Sequence, residues 1–521
     1  MTSSSNNYVE GQDRDQLILF PGSMEDYIDE DNAVRVIDEF VDSLDLEELG
    51  FNHFGPKDLG GRPAYDPYDL LKLYLYGYLN GIRTSRKLDR ECKRNIELMW
   101  LLKKLTPDYR TISDFRKDNV DCIKKVFRKF VELCKSLDLI GGDLVGVDGT
   151  KLKAVNSKSR NFNEGKLEYR IKRLELHISE YLKELEANDD KKSVEQTVPS
   201  SAVAVTEESK SITPSSSASN NTSAQHVEEE IEKLESKKTK YTRLLDRLKK
   251  SGQSEISLTD PDSRLMKNNE AHEVSYNAQI AVDSKYHLIP DYYLTNSAVD
   301  EDQLSTIARG AKEALGIEEG RNLDVTADRG YYSWVQLKKC LDMTITPYVP
   351  EVDRGRGGPK SVPEPPFYKG KFIYNKQSDS YICPAGNVLP FGRWWTDGRR
   401  RINKMYWADA NVCSSCQFKS KCTTTRGKKH GRIIVRWASE EVIEEIRKMM
   451  RTQEAEKIVK KRKELTEHPF GTIKRAFNQG FLLLKGLRKV NGEVGFTMLA
   501  YNLRRAINLL GTKTLVTAIK A

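Results

Sequence analysis

The sequence predicts an α/β protein in which an all-α N-terminal region, residues 1–140, is followed by a mixed-sheet domain that is interrupted twice. Three observations predict it. Apolar residues recur at helical spacing up to about residue 140. Short β-branched runs then take over, and two of them deliver an aspartate followed closely by glycine, at Asp148-Gly149 and at Asp328-Arg329-Gly330. One highly charged helical stretch lies between those two, and one rich in cysteine and aromatics follows the second, each foreign to its surroundings.

The composition bounds the rest. A chain of 521 residues with 38% hydrophobic content can fill several cores. Eighty-five Lys+Arg against 76 Asp+Glu give a net charge of +9, modest for the size, so local clusters rather than the global balance must carry any argument for nucleic acid. No apolar run approaches the ~18–20 residues that span a bilayer. The start, MTSSSNNYVEGQDRDQ, is polar and acidic where a signal peptide is basic and then apolar, so the expectation is a cytoplasmic protein. Eight cysteines do not make a disulfide scaffold here; Cys92, Cys122, Cys134 and Cys340 sit in apolar or helical contexts and read as buried thiols.

The helical region begins with NAVRVIDEFVDSLDLEEL, whose Val34, Val36, Ile37, Phe40, Val41 and Leu44 share one face. YDPYDLLKLYLYGYLNGI follows, opened by Pro67 and closed near Gly81, and then SRKLDRECKRNIELMWLLKKL. ISDFRKDNVDCIKKVFRKFVELCKSLDLI runs to the stop at Gly141-Gly142. Around Thr84–Lys117 the charges of Arg83, Arg86, Lys87, Arg90, Lys93 and Arg94 fit either a helix–turn–helix that binds DNA or a solvated basic face.

Residues 141–158 are a first strand segment, DLVGVDGTKLKA, read as a buried strand that ends at Asp148 and turns at Gly149. An aspartate there either opens an Asp-Gly hairpin or is held for chemistry, since a buried carboxylate is costly without a cationic partner. Residues 159–254 form the charged insertion: 163–189 and 226–252 are helices with spaced Leu and Ile, joined by a Ser/Thr-rich linker at about 190–222 that reads as disordered. Residues 255–345 resume the sheet, with VSYNAQIAVD and HLIPDYYLTN as a strand pair and Leu323 to Ala327 as a strand carrying Asp328 to its end.

Residues 346–434 make a β-rich insertion holding Cys383, Cys413, Cys416 and Cys422. A CxxC knuckle with two further cysteines fits tetrahedral zinc, which would cross-link a small domain; a redox pair or plain thiols are the other readings. Trp394, Trp395 and Trp407, near Arg399-Arg400-Arg401, read as the core of that module or as a phosphate-facing surface. Residues 435–521 supply C-terminal helices, with five Lys/Arg in the seven residues from Lys457 to Lys463 and then Glu467. Pro469 predicts a kink or helix end near Glu467. The helix with Val494, Met498, Tyr501 and Ile507 should pack on the sheet.

Taken in order, VDGTKLKAVNSK, DPDSRLMK, YNAQIAVDSK, TADRGYYS and EHPFGTIKR make the chain resemble a DDE transposase of a prokaryotic insertion sequence, over most of residues 50–510. The resemblance implies a ribonuclease-H-like catalytic domain and a carboxylate triad of Asp148, Asp328 and Glu467. In that family the triad holds two Mg²⁺ or Mn²⁺ ions and cuts and rejoins double-stranded DNA at terminal inverted repeats, so a homodimer on DNA is expected. Arg462 and Lys474 fit the family's basic positions, although Val459 stands where a tyrosine is usual and the Arg-to-Glu gap is one residue longer. Lys460, Lys461, Arg462, Lys474 and Arg475 are the candidate DNA contacts. A non-catalytic DNA-binding regulator, an inactive remnant, or a metal-dependent nuclease without strand transfer are the alternatives.

Overall fold

A computed structural model describes residues 22–52, 64–195, 218–268, 271–351, 367, 369–397, 402–422, 431–477 and 479–521. Among the described residues six α-helices precede the first strand: α1 (Val34–Asp42), α2 (Pro67–Leu79), α3 (Ser85–Cys92), α4 (Ile96–Leu101), α5 (Tyr109–Asp118) and α6 (Val120–Ser136). Side-chain caps start several of them, Asp66 for α2, Thr84 for α3, Asn95 for α4 and Asp108 for α5, each accepting from backbone N–H groups that the first turn leaves unpaired.

Strand β1 (Leu144–Lys153) leads, by way of β2 (Asn161–Asn163), into the helical arm α7 (Glu164–Glu195) and α8 (Ala218–Ser251), and β3 (Glu255–Ser257) closes against β2. The arm's helices reach into both ends of the expected linker, and residues 196–217 lie outside the described residues. A small cluster of Phe162, Leu167, Leu248 and Ile256 roots the arm. The sheet resumes with β4 (Arg264–Asn268), β5 (Ala271–Asp283) and β6 (Asp291–Thr295), then α9 (Leu304–Ala314), β7 (Leu323–Thr326), α10 (Trp334–Asp342) and β8 (Ile345–Tyr348). Its order is β4-β5-β1-β7-β8, with β6 also on β5; β1, β5 and β6 are antiparallel, whereas β1, β7 and β8 are parallel.

The second insertion is a separate antiparallel sheet of β9 (Ile373–Asn375), β10 (Ser380–Ile382), β11 (Val388–Thr396), β12 (Ile402–Trp407) and β13 (Ile433–Trp437), with short helices α11 (Ala410–Ser414) and α12 (Lys419–Cys422). Its core is Phe372, Tyr381, Leu389, Tyr406, Ala408 and Ile434. The expectation that the tryptophans form this core is corrected: Trp394 is 55% exposed and Trp395 42%. Trp407 is partly buried and lies over Gly392, where any Cβ would strike its ring. Arg399, Arg400 and Arg401 lie outside the described residues.

Helices α13 (Glu440–Met449), α14 (Gln453–Arg475), α15 (Leu487–Leu510) and α16 (Thr512–Lys520) end the chain. α15 packs on α6, α2 and β6, so one hydrophobic cluster runs without a break from the N-terminal helices into the sheet. Two glycines allow it: a Cβ on Gly492 would meet the Val120 backbone and one on Gly495 the Tyr292 hydroxyl. Arg83, read as part of a basic DNA-facing patch, is buried in this junction. It donates to Gln479 Oε1 at 3.0 Å, to the Phe481 carbonyl at 2.8 Å and to Glu493 Oε1 at 3.3 Å. The isolated thiols behave as expected, with Cys92, Cys122, Cys134 and Cys340 buried and free. Among the described residues no helix is long and apolar enough to cross a membrane.

Candidate active site

Asp148 does not end its strand. β1 continues through Gly149 to Lys153, paired with β5 all the way, so the hairpin turn expected at Gly149 is absent. Asp148 shares a strand face with Gly146, and α14 lies directly over that face: a Cβ on Gly146 would stand 3.0 Å from Leu465 Cβ and 3.2 Å from Thr466 Cγ2. The missing side chain at Gly146 is what lets the helix come so close.

The Asp148 carboxylate accepts from the Gly149 N–H at 2.8 Å and from Arg462 Nη1 at 3.4 Å. Burial pushes its pKa up; the Gly149 N–H and the Arg462 guanidinium pull it back, and the nearby Asp328 pushes it up again. Asp328 stands beyond the end of β7, the parallel neighbour of β1, and accepts from Gly330 N at 2.8 Å to cap the 3₁₀ turn Arg329–Tyr331. Two adjacent strands thus bring two carboxylates within electrostatic reach of each other.

Glu467 is placed differently. Of the kink or helix end expected near Pro469, the helix end does not occur: α14 runs on to Arg475 with Pro469 buried inside it. The proline ring costs the helix one N–H bond, which packing on β1 outweighs. Thr466 and Arg462 face Asp148; Glu467, one position on, is exposed. It shares a helix face with Lys474, two turns later. Lys474 has its ammonium pKa lowered by desolvation and raised by Asp148, so that face borders the carboxylates. Among the described residues no group of three or more His, Cys, Asp or Glu side chains is set to hold a metal ion. Asp148 and Asp328 lie within electrostatic reach of each other, and Glu467 is exposed on α14.

The other candidate contacts divide by position. Lys460 is exposed and paired with Glu456 at 2.7 Å, Lys461 and Arg475 are exposed on α14, and Arg462 is partly buried against Asp148. Of the N-terminal charges, Lys93 pairs with Asp89 and Arg94 with Glu91, while Arg86 and Lys87 of α3 remain exposed.

The four remaining cysteines line one cavity of the β-rich insertion, together with Phe367 and Phe418. Asn387 N donates to Cys383 Sγ at 3.3 Å and Arg432 N to Cys413 Sγ at 3.4 Å. Burial raises the Cys422 thiol pKa, Arg432 lowers it, and Cys413, Cys383 and Cys416 raise it further. The sulfurs are gathered round the cavity rather than drawn into a ligand group.

Sequence reasoning missed Thr466 and the polar residues behind the carboxylates, Asn277, Gln279, Asp300 and Tyr331. Only the adjacency of Tyr331 to Asp328 in DRGYY signals any of them in the sequence.

Two family models match. The transposase domain DUF772 covers residues 22–118, which hold α1 to α5, and the transposase DDE domain covers residues 382–507, from β10 into α15. No curated protein matches. Among solved structures, the piggyBac transposase synaptic complex with hairpin DNA is similar at 9% identity and a TM-score of 0.30, covering 94% of this chain and 78% of that one; likeness at that level carries no argument. One transposase model thus lies in the helical region and a DDE transposase model in the C-terminal part, and together they support a DDE transposase.

Proposed function

We propose that the chain binds the ends of an insertion sequence and catalyses metal-dependent DNA cleavage and strand transfer, with Asp148, Asp328 and Glu467 as its carboxylates. The observation that carries the reading is the pairing of Asp148 and Asp328 on neighbouring parallel strands beneath a basic helix. A ribonuclease-H-like catalytic domain is supported by the strand order β6-β5-β1-β7-β8, antiparallel on one side of β1 and parallel on the other.

The donor set fits a hard divalent cation. Asp148 and Asp328 offer only oxygen, burial and the neighbouring Asp328 raise the Asp148 pKa, and Mg²⁺ or Mn²⁺ is often held by one or two carboxylates with waters completing the shell. Two such ions, when bound, activate the attacking oxygen and stabilise the leaving one. Glu467, exposed beside Lys474, would complete the set by a turn of its side chain toward Asp148. Arg462 and Lys474 put positive charge beside Asp148, where a phosphodiester must approach. The exposed Lys460, Lys461 and Arg475 extend that charge along α14 and position the backbone without reading sequence. DNA ends are brought together by a homodimer. In the second insertion, Cys383, Cys413, Cys416 and Cys422 hold one structural zinc, a reading supported by their shared cavity and by the backbone N–H bonds to two sulfurs.

The test uses duplex oligonucleotides carrying the inverted repeats that flank the gene. Asp148→Asn and Asp328→Asn should abolish Mg²⁺-dependent cleavage and strand transfer and leave salt-sensitive binding intact. Glu467→Gln should do the same, and Glu464→Gln, exposed about one turn earlier on α14, should stay active. Cleavage surviving both aspartate changes ends the catalytic reading and favours a DNA-binding regulator; cleavage without joining in the parent protein favours a nuclease.

A further inference from the structure

Beneath the two aspartates lies a buried polar network that joins four separate segments. Gly149 pairs with Gln279 and Lys151 with Asn277 across β1 and β5, so these side chains leave the sheet on the face opposite Asp148. Tyr331, the last residue of the turn that Asp328 caps, returns to this face and donates its hydroxyl to Gln279 Oε1 at 2.5 Å. Gln279 Nε2 donates in turn to Asn277 Oδ1 at 3.0 Å and to Asp300 Oδ1 at 2.8 Å. Asp300, from the loop between β6 and α9, also accepts from Asn277 Nδ2 at 2.6 Å and Lys151 Nζ at 3.2 Å. Asn277 and Gln279 are fully buried and Tyr331 is 1% exposed.

Such a network costs desolvation, and an apolar core would serve stability as well. Its placement gives it another use. A Cβ on Gly149 would stand 2.4 Å from Gln279 Nε2 and 3.0 Å from the Tyr331 hydroxyl, so the residue next to Asp148 is glycine because the amide and the phenol occupy that space. We infer that Tyr331, through Gln279 and Asp300, is a positioning residue that fixes the distance between Asp148 and Asp328. The inference rests on the reading of those aspartates given above. The tie adds a side-chain link from the turn bearing Asp328 to β5, the antiparallel partner of β1, beyond the β1–β7 ladder that ends at Gly146 and Thr326. Burial and the three nearby carboxylates keep the phenol protonated, so it always donates. Asp300, engaged by three donors, serves the tie rather than the reacting groups.

The experiment is Tyr331→Phe in the full chain, with Tyr332→Phe as a neighbouring control. Single-turnover cleavage of an inverted-repeat duplex is measured against Mg²⁺ concentration. A displacement of the order of 1 Å in a reacting group can cost roughly 100-fold in rate, so a 10- to 100-fold loss is expected in Tyr331→Phe. The Mg²⁺ midpoint should rise several-fold, with DNA affinity at parental level, and Tyr332→Phe should keep the parental midpoint. A parental rate and midpoint in Tyr331→Phe overturn the inference. So does a rate loss that tracks a lower melting temperature with an unmoved midpoint, which marks a structural role. If Asp148→Asn is inactive while Tyr331→Phe is parental, the inference fails alone; if Asp148→Asn still cleaves, the underlying reading has failed.

Discussion

One buried carboxylate sits at the junction of the helical and sheet halves, and its removal has a calculable cost. Glu493 on α15 is fully buried and accepts from Arg83 at 3.3 Å, from Leu483 N at 2.9 and 3.0 Å, and from Leu484 N at 2.8 Å. Glu493→Ala leaves two backbone N–H groups without that acceptor and takes the opposing charge from a guanidinium whose side chain is 3% exposed. Orphaning a buried donor costs about 1–3 kcal/mol each, and breaking a buried ion pair about 3–5 kcal/mol. Arg83 keeps Gln479 and the Phe481 carbonyl, which softens the loss, so roughly 4 kcal/mol is expected for Ala. Glu493→Gln preserves an acceptor of the same shape and should cost about 1–2 kcal/mol. Urea unfolding followed by tryptophan fluorescence reads the difference as a midpoint shift at constant slope. If Ala and Gln behave alike, or Ala lies within about 0.5 kcal/mol of the parent, the buried-pair reasoning is wrong.

Asp148 has a folded pKa raised above its ordinary value, so its contribution to stability is full at low pH and is lost as pH rises through the folded value. Asp148→Asn should therefore melt above the parent at pH 7 in EDTA, the gap closing in acid, and a lower melting temperature at pH 7 would contradict the sign. Metal analysis should give about one zinc per chain, and Cys416→Ser should lower both zinc and stability; a zinc-free parent would end that proposal. Replacing residues 190–222 by a short Gly/Ser loop should leave melting and DNA binding nearly unchanged, and insoluble protein would show the segment to be structural.

What the sequence made legible was what neighbouring residues determine. Helical periodicity located α1, α2 and α6, and β-branched runs located β1, β5 and β7. Long-range partners were not legible. Arg83 looked like surface charge because its acceptor Glu493 lies 410 residues away. Gly149 looked like a turn because a glycine needed for clearance and one needed for a positive φ are the same letter, and here Gln279 is the reason. Pro469 signalled a kink or a helix end, and packing carried α14 past it to Arg475. Trp394 and Trp395 were assigned to a core by hydrophobicity, although in a sheet this small, with one face in solvent, half the side chains must point outward. The pairing of Asp148 with Asp328 followed from their shared strand context, while Glu467 rests on motif order alone.

The arm grows from the sheet at a narrow root, and its length makes it a lever. At 1.5 Å per residue a helix of 34 residues, as in α8, extends roughly 50 Å, whereas the anchoring cluster is Phe162, Leu167, Leu248 and Ile256 with Tyr241, Leu244 and Leu245 packed on them. Load applied at the tip therefore arrives at the root multiplied as torque. The root connects at one end to β1, which carries Asp148, and at the other to β4 and β5, which carry Gln279. A bending moment on the arm is thus delivered to the two strands that align the first carboxylate.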